Sequence, residues 1–267
     1  MNDILLFTQA IAREAGQLIK NERAHTALTH DYKNGDELVT NADIKADQLI
    51  CAAIAKQFPD HQILSEESSP DLGQVQKITT PLWIIDPIDG TVNFAHGHNQ
   101  SAISIAFVDG GQTQVGVVYN PFGEELFCAE LGKGAFLNDD PIRVSAETEL
   151  KRSLVATGFP YDKSTLDPMI PRLHAVLTHC ADIRRLGSAA LDICFLAMGR
   201  LEGYYESLHV WDFAAARLIA LEAGAECGHF SEVPDGVDPQ FYDNDILIAN
   251  PAIYPQLRAV LQAADKA

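Results

Sequence analysis

Pro81-Leu82-Trp83-Ile84-Ile85 is an unbroken apolar run that meets Asp86-Pro87-Ile88-Asp89-Gly90-Thr91 at its carboxyl end. A short run without polar alternation predicts a strand covered on both faces. The strand is expected to stop at Asp86 and open into a loop. Asp86, Asp89 and the Ile88 carbonyl would then share one turn, stiffened by Pro87 and allowed close approach by Gly90. Thr91 can begin a helix whose amides face an anion. Hard divalent cations take several oxygen ligands from such a turn. A lone Asp-x-x-Asp is nevertheless more often a solvated acidic turn, so the rest of the chain has to decide.

Around this run the hydrophobic period changes twice. The first segment reads as two helices followed by strands: Met1 to Lys20, with Ile4, Leu5, Ile11, Ala15, Leu18 and Ile19 on one face, then Asn41 to Phe58. Residues His61 to Ser65 look extended. From Ser101 to Val144, short strands punctuated by Gly110-Gly111, Pro121-Phe122-Gly123 and Gly132-Lys133-Gly134 predict an antiparallel meander. Beyond about residue 147 strands such as Leu154 to Thr157 alternate with helices at Met169–Thr178, Ser188–Met198, Asp212–Ala223 and Ala252–Ala263. The expectation is an α/β (α+β) layered protein of two mixed lobes, residues 1–146 and 147–267, with a cleft between them.

Composition removes several function classes. The 267 residues are 47% apolar and 21% charged, as in a folded globular protein. No stretch approaches the ~20 apolar residues of a membrane span, and the amino terminus reads as a helix rather than a signal peptide, so cytoplasmic residence is expected by elimination. The five cysteines form no close pair, which excludes a zinc knuckle and predicts reduced thiols. A net charge of −18 argues against non-specific nucleic-acid binding. It also requires that any site for an anion concentrate positive charge locally, for which bound metal ions are the obvious source.

Further acids have ordinary readings one at a time. Glu66, in Ser65-Glu66-Glu67-Ser68, could be a surface acid. Asp212, after Trp211, could be a helix cap worth ~1 kcal/mol. Asp43, in Thr40-x-x-Asp43, could complete a capping box. His96 and His98 read as loop hydrogen-bonding groups, and Tyr204 and Tyr205 as strand core.

Taken together, Asp36-Glu37-Leu38-Val39-Thr40-Asn41-Ala42-Asp43, Ser65-Glu66-Glu67-Ser68, Asp86 to Thr91 and Val210-Trp211-Asp212 occur in the order and approximate spacing of the inositol monophosphatase family. The resemblance continues through Gly97, Asn120-Pro121, Glu125-Leu126-Phe127, Gly132-x-Gly134-Ala135, Thr157-Gly158-Phe159-Pro160, Gly187-Ser188-Ala189-Ala190 and Tyr204-Tyr205-Glu206, and so covers nearly the whole chain. It implies a sugar-phosphatase-like fold of alternating helix and sheet layers. It also implies magnesium-dependent hydrolysis of inositol monophosphate or a similar small polyol or sugar phosphate.

By that resemblance Glu66, Asp86, the Ile88 carbonyl, Asp89 and Asp212 look like ligands for a pair of Mg2+ ions, with Asp43 near a third, weaker site. A metal-activated water, oriented by Thr91 with Asp43 and assisted by Glu66, would attack phosphorus directly, while a second ion held by Asp86, Asp89 and Asp212 stabilises the leaving oxygen. Asp89, Gly90, Thr91, Gly187, Ser188, Ala189, Glu206 and Asp212 would contact substrate, Glu206 by accepting hydrogen bonds from ring hydroxyls. Relatives are lithium-sensitive and tend to be homodimers. Two departures bear on substrate shape: Gly97-His98-Asn99-Gln100-Ser101 lacks the proline and aromatic residues common there, and the spacing from Glu206 to Asp212 varies between branches.

Three rivals stay open. An aspartyl-phosphate enzyme would place Asp-x-Asp after the apolar strand, one residue tighter than Asp-x-x-Asp. A 3'(2'),5'-bisphosphate nucleotidase or fructose-bisphosphatase could use the same scaffold, although no basic cluster stands ready for a second phosphate. Bacterial relatives called extragenic suppressors associate with the transcription machinery, so a protein partner there is the third.

Overall fold

The structure, a computed structural model, describes residues 3–25, 30–33, 37–69, 80–160 and 166–266. Asp36 of the opening motif lies outside them, as does Met1. Helix α1 (Asp3–His25) buries Leu5, Ile11, Ala12, Ala15 and Ile19 along one stripe. A hairpin that the sequence pattern does not announce, β1 (His30–Lys33) with β2 (Glu37–Thr40), separates it from α2 (Asn41–Gln57). Thr40 caps α2: its hydroxyl accepts from the Ala42 N–H at 3.2 Å, and Asp43 accepts from the Thr40 N–H at 2.9 Å. The capping box is real.

A seven-stranded sheet follows in chain order. It comprises β3 (Gln62–Ser65), β4 (Leu82–Asp89), β5 (Ala102–Asp109), β6 (Gln112–Asn120), β7 (Glu125–Glu130), β8 (Ala135–Leu137) and β9 (Asp140–Ile142), with the short helix α3 (Thr91–Ala95) between β4 and β5. Strand β3 lies parallel to β4, and every later pair is antiparallel, which is the expected meander. The apolar run is explained by its two neighbours. Trp83 and Ile85 pack with α1 and α2, while Leu82 and Ile84 face the opposite layer.

The remaining elements are β10 (Leu154–Thr157), α4 (Met169–His179), β11 (Asp182–Arg184), α5 (Ala189–Ala197), β12 (Gly203–Glu206), α6 (Val210–Glu222), β13 (Glu226–His229), β14 (Ile246–Ala249) and α7 (Tyr254–Ala264). Their strands form a second sheet in the order β11-β10-β12-β14-β13, with β10 parallel to β11 and β12. Helices α5 and α6 lie between the two sheets, in one core with Ile84, Val118, Phe127, Tyr204 and Ile248. That position explains why α5 buries Ala190, Leu191, Ile193, Cys194 and Leu196 around nearly its whole circumference. Helix α7 packs with Val155, Tyr205 and Leu247 on the far face of the second sheet. The result is helix, sheet, helix, sheet and helix layers, the alternating sandwich that the family resemblance implies.

Candidate active site

Strand β4 does not stop at Asp86, as the sequence suggested. It runs to Asp89, and its register slips on the way: Asp86 pairs with Ser104 and Asp89 with Ala102, three steps against two. Regular pleating would send Asp86 and Asp89 to opposite faces. The bulge cancels that alternation and brings both carboxylates to one side. Pro87 has no N–H to donate to a ladder, so it suits the bulge. Asp86 turns back to accept the Ile88 N–H at 2.9 Å.

Helix α6 brings the third carboxylate. Asp212 is in its first turn rather than at its cap position and accepts the His209 N–H at 2.9 Å. The Ser104 hydroxyl donates to the Trp211 carbonyl at 3.2 Å and ties the start of α6 to β5. Carboxylate oxygens of Asp86, Asp89 and Asp212 consequently lie within 4.8 Å of one another. Glu66 follows β3 directly; its N–H donates to the Ile85 carbonyl at 3.2 Å, and its carboxyl group hydrogen-bonds with that of Asp86.

Asp43 joins from α2. Its Oδ2 takes the Thr40 donors, which leaves Oδ1 for the Thr91 hydroxyl at 3.0 Å. The same hydroxyl is 3.0 Å from the Ile88 carbonyl. One proton faces two acceptors, so the Thr91 hydroxyl is held between them. Gly90 precedes α3 with φ 89°, and a Cβ there would lie 2.7 Å from the Gln100 carbonyl and 2.9 Å from that of Gly187. Any other residue would be strained and would collide with backbone.

Asp89 also reaches across to α5. Its Oδ2 accepts the Ser188 hydroxyl at 2.5 Å and the Ala190 N–H at 2.8 Å, and the Ala189 N–H is 3.3 Å from Oδ1. An acid on the first sheet thus sits at the amino end of a helix in the next layer, where its charge opposes the helix dipole. Asn93 makes a parallel strut, donating to the Gln100 carbonyl at 2.8 Å and to the Leu186 carbonyl at 2.7 Å. Sequence reasoning missed Thr40 as a partner of the site, Asn93 and Ala190. Among these only the Thr40 capping pattern carried a local signal. Glu206, at the end of β12, stands apart from the three clustered carboxylates and takes the Tyr204 hydroxyl.

Burial and mutual repulsion set the electrostatics. Asp86 is 2% exposed, and desolvation followed by the charges of Glu66, Asp89 and Asp212 holds its carboxyl well above the usual range. Asp212 is raised well above its ordinary value by desolvation, then by Asp89 and Glu66. Asp89 rises only to about 6, because the Ser188, Ala190 and Ala189 donors oppose its desolvation. Asp43 is raised by burial against the Thr40 and Thr91 hydrogen bonds. Acids packed this closely are unfavourable as anions unless cations compensate them. An all-oxygen donor set of this kind fits a hard divalent ion.

Comparison with known proteins agrees with this architecture. The sequence model described as the inositol monophosphatase family matches residues 1–265. The protein called Nus factor SuhB in Escherichia coli K12 is 38% identical over 262 residues, covering 97% of this chain and 96% of that one. The crystal structure of the extragenic suppressor protein SuhB from Bartonella henselae superposes with a TM-score of 0.88 at 34% identity, over 98% of this chain and 99% of the other. An IMPase from Thermotoga maritima superposes with a TM-score of 0.87 at 31% identity, over 99% of both chains. The layered phosphatase scaffold and the carboxylates gathered at its strand and helix ends have one reading: this chain belongs to the inositol monophosphatase family.

Proposed function

We propose that this protein is a Mg2+-dependent phosphomonoesterase that hydrolyses inositol monophosphate, or a similar small polyol or sugar phosphate, by direct attack of water on phosphorus. The observation that carries the reading is the meeting of Asp86, Asp89 and Asp212 within 4.8 Å, with Glu66 bonded to Asp86. These four side chains and the Ile88 carbonyl would hold two ions, and Asp43 would stand beside a third. When bound, the ions neutralise the phosphate oxygens, make water more acidic and stabilise the departing alkoxide.

The chain's own groups arrange the rest. The Thr91 hydroxyl donates a hydrogen bond to Asp43 and accepts one from a water, so the water's own lone pair is directed at phosphorus. Glu66 takes the proton that the water loses as the new P–O bond forms and the ester P–O bond breaks. The amides of Gly90 and Thr91 donate to the phosphate. Gly187, Ser188 and Ala189 line the substrate side, and Glu206 accepts hydrogen bonds from hydroxyls of the leaving group. No serine or cysteine nucleophile is required: the buried Cys194 thiol, for instance, is held well above its ordinary pKa by desolvation.

Phosphate release from inositol, glycerol, adenosine and fructose phosphates, with Mg2+ and with EDTA, tests this. Full turnover in EDTA overturns the metal assignment, and preference for a bisphosphate overturns the substrate class. The Nus-factor name of the relatives supports a second role, binding to the transcription machinery; a homodimer rests on the family resemblance alone. An Asp89→Asn variant separates the two roles, since a binding function survives where phosphate release fails.

A further inference from the structure

Tyr204 reads from sequence as strand core, and it is 0% exposed, packed with the core between the sheets. Its hydroxyl nevertheless has a polar partner, for it donates to Oε2 of Glu206, two residues along the same strand and on the same face. The Gly158 N–H donates to the same carboxylate from the end of β10. The approach there is close enough that a Cβ on Gly158 would fall 2.0–2.3 Å from the Glu206 carboxyl atoms. The Thr157 hydroxyl donates to the Tyr205 carbonyl at 2.7 Å and locks the two strand ends together, so the distance from Gly158 to Glu206 is set by the sheet.

We propose that Tyr204 and Gly158 are positioning residues that fix the Glu206 carboxylate for neutral, hydroxyl-bearing leaving groups and so determine substrate preference. The inference rests on the reading of Glu206 as an acceptor for substrate hydroxyls and goes on to say what aims it. A carboxylate offers about four lone-pair sites. Two are taken by the clamp, and in the ionised group the remainder can only accept. Such a group selects hydroxyl donors over a second phosphate or carboxylate, which offers only acceptors.

The charged surroundings agree. Facing Glu206 are Arg185 from the loop before α5, Asp89 from β4, Asp192 from α5 and Asp212 from α6. Burial pushes Glu206 up to about 7, against the Tyr204 and Gly158 hydrogen bonds and Arg185. Tyr204, desolvated and next to an acid, is held well above its ordinary value and stays a donor. Its hydroxyl stabilises the ionised form, so its removal moves the Glu206 titration to higher pH.

The test is Tyr204→Phe, which keeps the buried ring, with a thermal melt; Gly158→Ala, in parallel, keeps the N–H but displaces the carboxylate with its Cβ and raises KM at least as far. For a polyol monophosphate, KM rises roughly three- to thirty-fold, as expected for one charge-assisted hydrogen bond, with kcat close to the parent. The effect is smaller on propyl phosphate, and the pH at which KM improves moves upward. In a Glu206→Ala background the loss of the hydroxyl adds nothing further. Equal effects on both substrates, a fall in kcat alone, or full additivity with Glu206→Ala would overturn the inference. If Glu206→Ala itself leaves KM unchanged, the acceptor reading of Glu206 fails instead. If it raises KM while Tyr204→Phe does not, only the positioning role fails.

Discussion

Asp86 and Glu206 are both shielded acids near the ends of strands, and the protein treats them in opposite ways. Asp86 has one backbone donor and three carboxyl neighbours that push it further from ionisation. Glu206 has a phenol and an amide turned toward it, plus a nearby guanidinium, and rises only to about 7. Asp89 lies between these cases, a member of the acid cluster that is also capped by α5 and held at about 6. The source of compensation makes the difference. An acid satisfied within the chain can serve as a hydrogen-bond acceptor, whereas a cluster whose repulsion is left unrelieved is built for an external cation.

The contrast fails most plainly if one member of the unrelieved cluster can be removed without consequence. Asp212→Asn should reduce turnover by on the order of 10³-fold, equivalent to several kcal/mol of transition-state stabilisation, in steady-state phosphate release. Retained activity would mean that the cluster is structural. Cation binding should also register without catalysis: at about a hundred times its Kd, Mg2+ stabilises the fold by about 2.7 kcal/mol, a rise in melting temperature of roughly 5–10 °C. Asp212→Asn should lose most of that rise and Glu206→Gln should keep it.

Thr91→Ala removes the hydroxyl between Asp43 and the Ile88 carbonyl and should lower kcat roughly ten- to a hundred-fold with little change in fold, checked by kinetics and circular dichroism. The pH dependence of metal-free stability separates the two regions more gently. Asp89 and Glu206 titrate at about 6 and about 7 in the folded chain, above the unfolded carboxylate values near 4. Between those limits the native state holds more protons than the unfolded one, so the melting temperature in EDTA falls as pH rises from about 4 to 7. Mg2+ should flatten the Asp89 share and leave that of Glu206. The smallest effect expected is Thr40→Ala, about 1 kcal/mol of stability from the lost cap, with a slight loss of rate through Asp43.

Much of this was legible before the fold. Trp83, Ile84 and Ile85 announced a strand buried on both faces because no polar alternation remained for solvent. The helix of Asn41–Gln57 announced its start through Thr40 and Asp43, since capping is local chemistry. The hairpin of β1 and β2 was not legible, because its two four-residue strands are too short to show a period. The true end of β4 was not legible either, because a bulge changes pairing with a neighbour, and pairing leaves no mark on one strand's own composition. The hydrogen bond of Tyr204 was not legible for a similar reason: an aromatic in a strand looks the same whether or not its hydroxyl has a partner.

By itself the sequence determined most of the helices and strands and the Asp86–Asp89 turn, since hydrophobic period and turn chemistry act over a few residues and are written locally; the layers and the other acids came with the family resemblance. Only the tertiary structure decided which acids stay unrelieved and which are satisfied. Asp86, Asp89 and Asp212 come from one bulged strand and a helix over a hundred residues later, and the donors that calm Asp89 come from a third element. Coulomb repulsion and hydrogen bonds act over a few ångströms in space, and chain order does not record those distances.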